Sequence, residues 1–373
     1  MIYIIGIVIT FFLSFILLTK KEKTIADKIL FVWLCVIMIH LTMFAIISSQ
    51  EFLRFSYLLG LEIPLPLLHG PFLFIYTTSL TNGNATLSNK LIHFIPYVLA
   101  LLSIIPFLLL SPEDKITVYQ KEGEGYTTLT NIIFFGIIFS GITYSFLSLR
   151  LLVKHKRKIK DNYSYTEQIN LQWLFILIAG LSCIWIIVFF ANDEIIFSSV
   201  VLYVLLIGYF GIKQVGIFTN QPPAENSLAL ETTQPVELSD IPSENLKYEK
   251  SMLADNQLAG IHVEFVQLMK QKKLYLTPEL TLTMVSEELD VHPNTLSQVI
   301  NRVELQNFFD YVNTLRVEEF KERAVRPENQ KYTMLSLAYE CGFNSKTSFN
   351  RNFKKITGKS PTEYLKEIKI TLN

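Results

Sequence analysis

Lys346, Thr347, Asn350, Arg351, Lys354 and Lys355 recur at the three- and four-residue spacing that gathers side chains on one face of a helix, opposite Phe349, Phe353 and Ile356. Such a face suits a polyanion whose surface also carries hydrogen-bonding groups. Arginine can pair bidentately with guanine, and asparagine or glutamine with adenine, so these types can discriminate bases where a purely lysine-rich face would not. Lys346, Thr347, Asn350 and Arg351 are therefore candidate base-reading residues, with Lys354 and Lys355 on phosphate. A second face of this kind lies upstream. Asn294, Ser297 and Gln298 are base-reading candidates there, with Arg302 for phosphate, opposite Leu296, Val299 and Ile300. This chemistry is non-covalent. No paired-carboxylate site, no Ser/His/Asp or Cys/His arrangement and no phosphate loop stands out, so an enzyme is not expected. The three cysteines are scattered and show neither a disulfide framework nor a metal-ligand spacing, so neither metal nor cofactor is expected.

Each face needs a short helix before it and a tight turn between. Leu335, Leu337, Ala338 and Cys341 give the first helix of the downstream pair, and Gly342 can take the positive φ that ends it. Asn344 or Ser345 caps the reading helix, and Gly358 closes it. Ser360, Pro361 and Glu363 open a buttress helix as cap, first helical residue and capping-box partner. Upstream, 282–289 and 293–303 form a similar pair around a turn at Asp290, Val291 and His292. A connector over about 307–324 joins the pairs, with Phe308, Val312, Leu315 and Phe320 inward and Arg316 and Lys321 outside.

In type and spacing, Gly342-Phe343, Ser348-Phe349, Arg351, Phe353-Lys354-Lys355, Gly358, Pro361 and Tyr364 resemble the second DNA-binding motif of AraC/XylS-type transcription regulators. Two motifs on one rigid connector match the arrangement of that family. The resemblance covers about 255–369 and implies double-stranded DNA as partner, with RNA polymerase as a further candidate. His292 departs from the capping serine usual in the family.

The rest of the chain is of another kind. The 373 residues are 50% hydrophobic with 28 Phe, and the mean hydropathy is +0.34, above what a soluble chain usually carries. Seven apolar runs, 2–18, 29–48, 64–80, 91–110, 131–153, 171–191 and 195–212, each approach the roughly 20 residues a bilayer needs. Lysines at 20, 21, 23 and 28, and the basic run from Lys154 to Lys160, mark cytoplasmic loops, which puts the N-terminus outside and everything after Ile212 inside. Intramembrane charges are few, which disfavours a transporter. Pro64, Pro66 and Pro71 interrupt the third run, and His69, Pro71 and His93 are candidates for a ligand pocket there. Cys341 reads as structural, and the acceptor pattern at Asn84-Ala85-Thr86 carries no weight in a cytoplasmic loop.

Net charge is +3 over 1–218, −5 over 219–260 and +2 over 261–373. The acidic stretch, broken by Pro222, Pro223, Pro235 and Pro242, reads as a flexible linker. The expectation is an all-α chain: a seven-span membrane domain at 1–218 acting as sensor, a linker at 219–254, and a DNA-binding domain at 255–373 with two helix-turn-helix motifs joined by a long helix. It would be a transcription regulator in the cell membrane, facing the bilayer and DNA, responding to a small-molecule or peptide signal and able to pair as a homodimer. A transporter or enzyme with an accessory DNA-binding domain, and a passive tether between DNA and membrane, are the alternatives. Reporter fusions at Ser88 and Asn162 are expected to read as cytoplasmic and one at Glu122 as external; a cytoplasmic Glu122 signal would overturn the seven-span reading.

Overall fold

The computed structural model describes residues 2–49, 51–81, 88–166, 171–213, 244–329 and 331–371. The Asn84 pattern and most of the expected linker lie outside them. The described residues are helical throughout, joined by turns and by one isolated antiparallel bridge between Tyr163 and Thr281. Packing divides the chain into two units. One comprises Met1–Lys154 with Leu171–Thr233, the other His155–Asn170 with Gln234–Asn373.

The first unit holds α1 (Ile2–Thr19), α2 (Ile25–Ser48), α3 (Pro66–Thr81), α4 (Ile95–Ser103), α5 (Ile105–Leu108), α6 (Pro112–Gln120), most of α7 (Thr127–Asn162), α8 (Gln172–Ile187) and α9 (Asp193–Lys213). Its core gathers Trp33, Leu34 and Leu41 of α2 with Leu73 and Tyr76 of α3, Leu174 of α8 and Val204 of α9. Apolar side chains also cover the outside. On α7, Ile132, Phe135, Phe139, Ile142 and Phe146 form an exposed stripe at helical spacing, and Ile4, Val8, Phe11 and Phe15 do the same on α1. Water would not tolerate so much exposed apolar surface, and a hydrocarbon solvent would. The α1–α2 turn carries a buried ion pair, with Lys20 Nζ 2.7 Å from Asp27 Oδ2. Lys20, counted above among the loop charges, is therefore enclosed.

Seven full-length spans are not what the helices show. Among the described residues four, α1, α2, α7 and α9, are long and apolar enough to cross a membrane. The others fall short. α3 and α8 have 16 residues each, about 24 Å of helix against a hydrocarbon core of about 30 Å. The expected run at 91–110 is divided by prolines, because Pro96 sits in the first turn of α4 and Pro106 in the first turn of α5.

The second unit contains α10 (Glu244–Lys272), α11 (Leu282–Glu288), α12 (Pro293–Val303), α13 (Phe308–Ala324), α14 (Met334–Glu340), α15 (Lys346–Thr357) and α16 (Pro361–Thr371). The first helix of this unit begins at Glu244, ahead of the domain start expected at 255. Two apolar clusters share α13. Phe308 and Val312 pack with Phe265, Leu282, Val285, Leu296 and Ile300, while Val317 and Phe320 pack with Leu337, Ala338, Phe343, Phe349 and Phe353. Cys341 is enclosed in the latter, and burial pushes its thiol up to about 12, which makes it inert packing.

Glu319 of α13 ties the unit together. Burial alone would raise its carboxyl, but hydrogen bonds from Lys273, Arg323 and Tyr275 outweigh burial and hold it at about 2. A depressed carboxyl stabilises the fold above its ordinary value near 4.5, and that contribution is lost as pH falls toward 2. In a soluble fragment that joins residues 155–166 to 244–373 through a flexible linker, Glu319→Gln is expected to lower stability at pH 7, with the gap to wild type closing between pH 4.5 and 2 when unfolding is followed by circular dichroism. A gap independent of pH would show that the ion pairs are not its source.

Candidate nucleic-acid interface

Both candidate reading helices are started by side-chain caps. In the upstream pair, Thr281 Oγ1 accepts from the Met284 amide at 3.2 Å to begin α11, and His292 Nδ1 accepts from the Asn294 amide at 3.2 Å to begin α12. The imidazole thus takes the place of a serine hydroxyl, its lone pair meeting an otherwise orphan N–H. Pro293 follows as first helical residue. Asp290 has φ +52°, so the turn runs through a left-handed residue that asparagine, aspartate or glycine tolerates best.

In the downstream pair, Thr333 caps α14 and Ser345 Oγ accepts from the Ser348 amide at 3.0 Å to begin α15. Gly342 between them is required twice over. Its φ is +90°, and a Cβ built there would lie 2.4 Å from the Tyr275 carbonyl oxygen and 2.9 Å from Arg316 Nε. Gly358, with φ +76°, ends α15. Ser360 and Glu363 then form a capping box at α16, the Ser360 amide donating to Glu363 at 2.8 Å.

Those caps fix which side chains face out. Phe349 and Phe353 of α15 are buried against Phe320, with ring centroids 4.7 and 5.6 Å from it. Lys346, Thr347, Asn350, Arg351, Lys354 and Lys355 are exposed. On α12, Leu296, Val299 and Ile300 are buried, Asn294, Gln298 and Arg302 are exposed, and Ser297 is half-buried with its carbonyl accepting from Asn301 at 2.9 Å. Two cations are partly engaged within the protein. Lys355 pairs with Asp310 at 2.7 Å, and Arg351 Nη2 lies 3.3 Å from Thr166 Oγ1 with its guanidinium 5.9 Å from the centre of the Phe309 ring.

The connector departs from expectation at Arg316. Placed outside by its charge, it is 2% exposed. Its position follows from periodicity, since 308, 312, 316 and 320 share one helical face. Its Nε donates to the Tyr275 carbonyl at 2.7 Å, and its Nη2 donates to Thr277 O at 2.7 Å, Pro278 O at 3.2 Å and Ser164 Oγ at 3.0 Å. Nη1 reaches Ser164 O at 3.2 Å. Asn313 Nδ2 donates to that same carbonyl at 3.0 Å, and the Ser164 amide and hydroxyl both donate to Leu280 O, at 3.1 and 2.7 Å. Lys321 stays on the surface side of α13, 2.7 Å from Glu318.

Sequence reasoning missed Ser164, Thr166 and Asn313. The stretch after α7 reads as a polar loop, and nothing local marks it as part of this unit. The pocket candidates are not one group: in the first unit His69 lines a cavity with Trp33 and His40, Pro71 is buried within α3, and His93 instead faces Tyr144, Nδ1 to hydroxyl 3.1 Å.

A family model described as a helix-turn-helix domain matches residues 285–367. No curated protein and no solved structure matches the chain. Replacing Arg351 with alanine is expected to cost about 1–3 kcal/mol on a specific site and to relax preference at one base pair, while Lys354→Ala weakens specific and random duplexes alike and reduces the salt slope by about 1. Titrations of both duplexes at several salt concentrations check this; equal losses on the two for Arg351→Ala would show that it reads no base.

Proposed function

We propose that the protein is a membrane-embedded, sequence-specific transcription regulator of AraC type that responds to a signal received in its apolar unit; the reading rests on the helix-turn-helix domain at 285–367 and on four helices, among the described residues, long and apolar enough to cross a bilayer. DNA binding rests on the domain and on its two exposed polar faces. The response to a signal is supported by a single observation: residues 163–166, which directly follow α7, are hydrogen-bonded into the DNA-binding unit at Arg316, Asn313 and Leu280 and reach Arg351 through Thr166.

A passive tether needs no such seat. A linker alone would hold the domain near the membrane, whereas a segment built into its interior lets movement of the chain at α7 bear on the connector between the reading helices and on one candidate reading residue. The loop charges favour a cytoplasmic DNA-binding unit. Pairing of two copies in the membrane would align two domains on repeated sites, and RNA polymerase would be the partner of the bound complex.

The test compares three forms on one target promoter: the full chain, the full chain with Ser164→Ala, and a soluble fragment that joins residues 155–166 to 244–373 through a flexible linker. The fragment is expected to bind the operator and to lose the dependence on growth condition that the full chain shows. Ser164→Ala removes one hydroxyl that both accepts from Arg316 and donates to Leu280, a cost of about 1–3 kcal/mol at a buried polar group, and is expected to shift the induced or basal level while membrane abundance stays unchanged. Identical regulation by all three forms in every condition would reduce the apolar unit to an anchor.

A further inference from the structure

α7 is longer than a bilayer requires. Its 36 residues make about 54 Å of helix against a hydrocarbon core of about 30 Å, so roughly 16 residues stand outside the apolar layer. The charges show which: Lys156, Arg157, Lys158 and Lys160 lie in its last two turns, with Asp161 as their only acidic neighbour there. These turns are not a loose basic tail. His155, Ile159 and Tyr163 recur every four residues and are buried in the DNA-binding unit, while Arg157, Lys158 and Lys160 are exposed. With four cations and one carboxylate the segment brings a net +3 to a unit whose residues 261–373 carry +2, and so more than doubles the positive charge a polyanion would meet.

Lys160 is the cation that reaches the candidate reading face. Its Nζ lies over the Phe309 ring, 5.8 Å from the ring centre, and the Arg351 guanidinium lies 5.9 Å from the same centre. The two charges are therefore no more than about 12 Å apart, about the width of the major groove. Phe309 is 3% exposed whereas both cations are exposed, so they stand on the solvent side of one shared apolar floor. A lysine stem packs well on such a ring and leaves its ammonium in water. Among the described residues Lys160 forms no ion pair, whereas Lys355 of α15 is held by Asp310, the neighbour of Phe309, at 2.7 Å.

A base-reading arginine points at the floor of the groove, and phosphates line its two rims. A cation on the same solvent side, within one groove width of that arginine, meets a rim. We propose that the last turns of α7 are part of the DNA-binding surface, with the Lys160 ammonium holding a backbone phosphate at the edge of the groove that α15 reads. This rests on α15 as a DNA-reading helix and adds an element that the helix-turn-helix domain at 285–367 does not contain. An anionic lipid headgroup is the other phosphate a basic segment beside a membrane helix could meet. Lipid attraction needs only charge near the bilayer and is indifferent to where around the helix that charge sits. Lys160, however, sits on the ring that also carries Arg351. Lys158 separates the two readings, since it is exposed and of the same charge but leaves the helix about 200° round from Lys160.

The full chain in phosphatidylcholine nanodiscs is titrated, at several salt concentrations, with a duplex it has selected from a random pool and with a scrambled duplex. Lys160→Ala is expected to weaken both about two- to fivefold and to lower the slope of log affinity against log salt by about 0.9, the share of one phosphate. Lys160→Met keeps an apolar stem on Phe309 without the charge and is expected to behave like the alanine variant, while Lys160→Arg restores affinity and slope. Lys158→Ala is expected to change affinity less than about twofold, as a screened charge off the contact does, and to leave the slope unaltered. A photoreactive benzoylphenylalanine at position 160 is expected to cross-link to the duplex, and one at position 158 is not. Unchanged helicity and melting temperature of the DNA-free variants establish that they fold. A slope indifferent to Lys160→Ala, full recovery in Lys160→Met, equal effects at 158 and 160, or cross-linking of position 160 to lipid instead of DNA would overturn the proposal. Each of these outcomes leaves DNA binding by the wild-type chain standing; a wild-type chain that binds neither duplex removes the DNA-binding reading and this contact with it.

Discussion

A guanidinium offers five N–H groups in a plane and keeps its charge inside a protein, so it can be buried only where acceptors from several directions converge. Arg316 meets that condition between the two apolar clusters of the DNA-binding unit. The carbonyls it gathers come from 275–278, ahead of α11, and from Ser164, while the Phe343 ring lies 5.9 Å from it. Tyr275 lies in a single 3-10 turn at Leu274–Leu276 and Ser164 in the bend that follows α7, and one cation serves the carbonyls of both segments. Breaking such an arrangement from one side leaves several buried polar groups exposed to each other without partners, which costs more than the hydrogen bonds themselves contribute. The absence of a Cβ at Gly342 belongs to the same arrangement, because only a glycine lets the turn between α14 and α15 approach Tyr275 and Arg316 so closely. The geometry of the downstream motif is thereby fixed by a residue on the connector.

What the sequence disclosed followed from rules that act over a few residues. Serine and threonine at helix starts, glycines with positive φ, and the alternation of Phe349 and Phe353 with Asn350, Arg351 and Lys354 are local patterns, and they gave the helices and faces of both motifs. Arg316 was misplaced by a conflict between two local rules. Its spacing from Val312 and Phe320 puts it inward and its charge suggests outward; spacing prevailed because neutral carbonyls could replace water. Ser164 obeys no local rule at all. Its partners lie 116, 149 and 152 residues away, and no window along the chain could reveal them. In the apolar unit, hydropathy found the helices but overestimated their length wherever proline set their ends, as at Pro66, Pro96 and Pro106. Of the pocket candidates, His69 lines a cavity while His93 faces Tyr144. His69 and His93 look equivalent in sequence, yet only the former has a tryptophan N–H to fix its tautomer.

The two units solve opposite solvation problems with the same element. In the DNA-binding unit, apolar side chains turn inward and the outer faces carry amides, hydroxyls and cations, which is what a solvated polyanion requires. In the apolar unit the outward faces of α1 and α7 are as apolar as the core, so polarity is left for the interior, where it is spent on the Lys20–Asp27 pair and on the line from Trp33 through His69 to His40. Polar groups inside an apolar medium define unique arrangements because their alternatives are costly.

The seat of Ser164 also sets an order of events during synthesis. Residues 155–166 leave the ribosome well before α13, separated from it by α8, α9 and all that follows, so the acceptors Ser164 supplies wait for a guanidinium made 152 residues later. The entropy of closing so long a loop grows only slowly with its length, each doubling adding about 0.6 kcal/mol. The delay is therefore cheap in equilibrium terms and large in sequence. The DNA-binding unit reaches its full set of hydrogen bonds only after the intervening chain has been made, which makes the finished fold of that unit a record that the segment after α7 remained within reach.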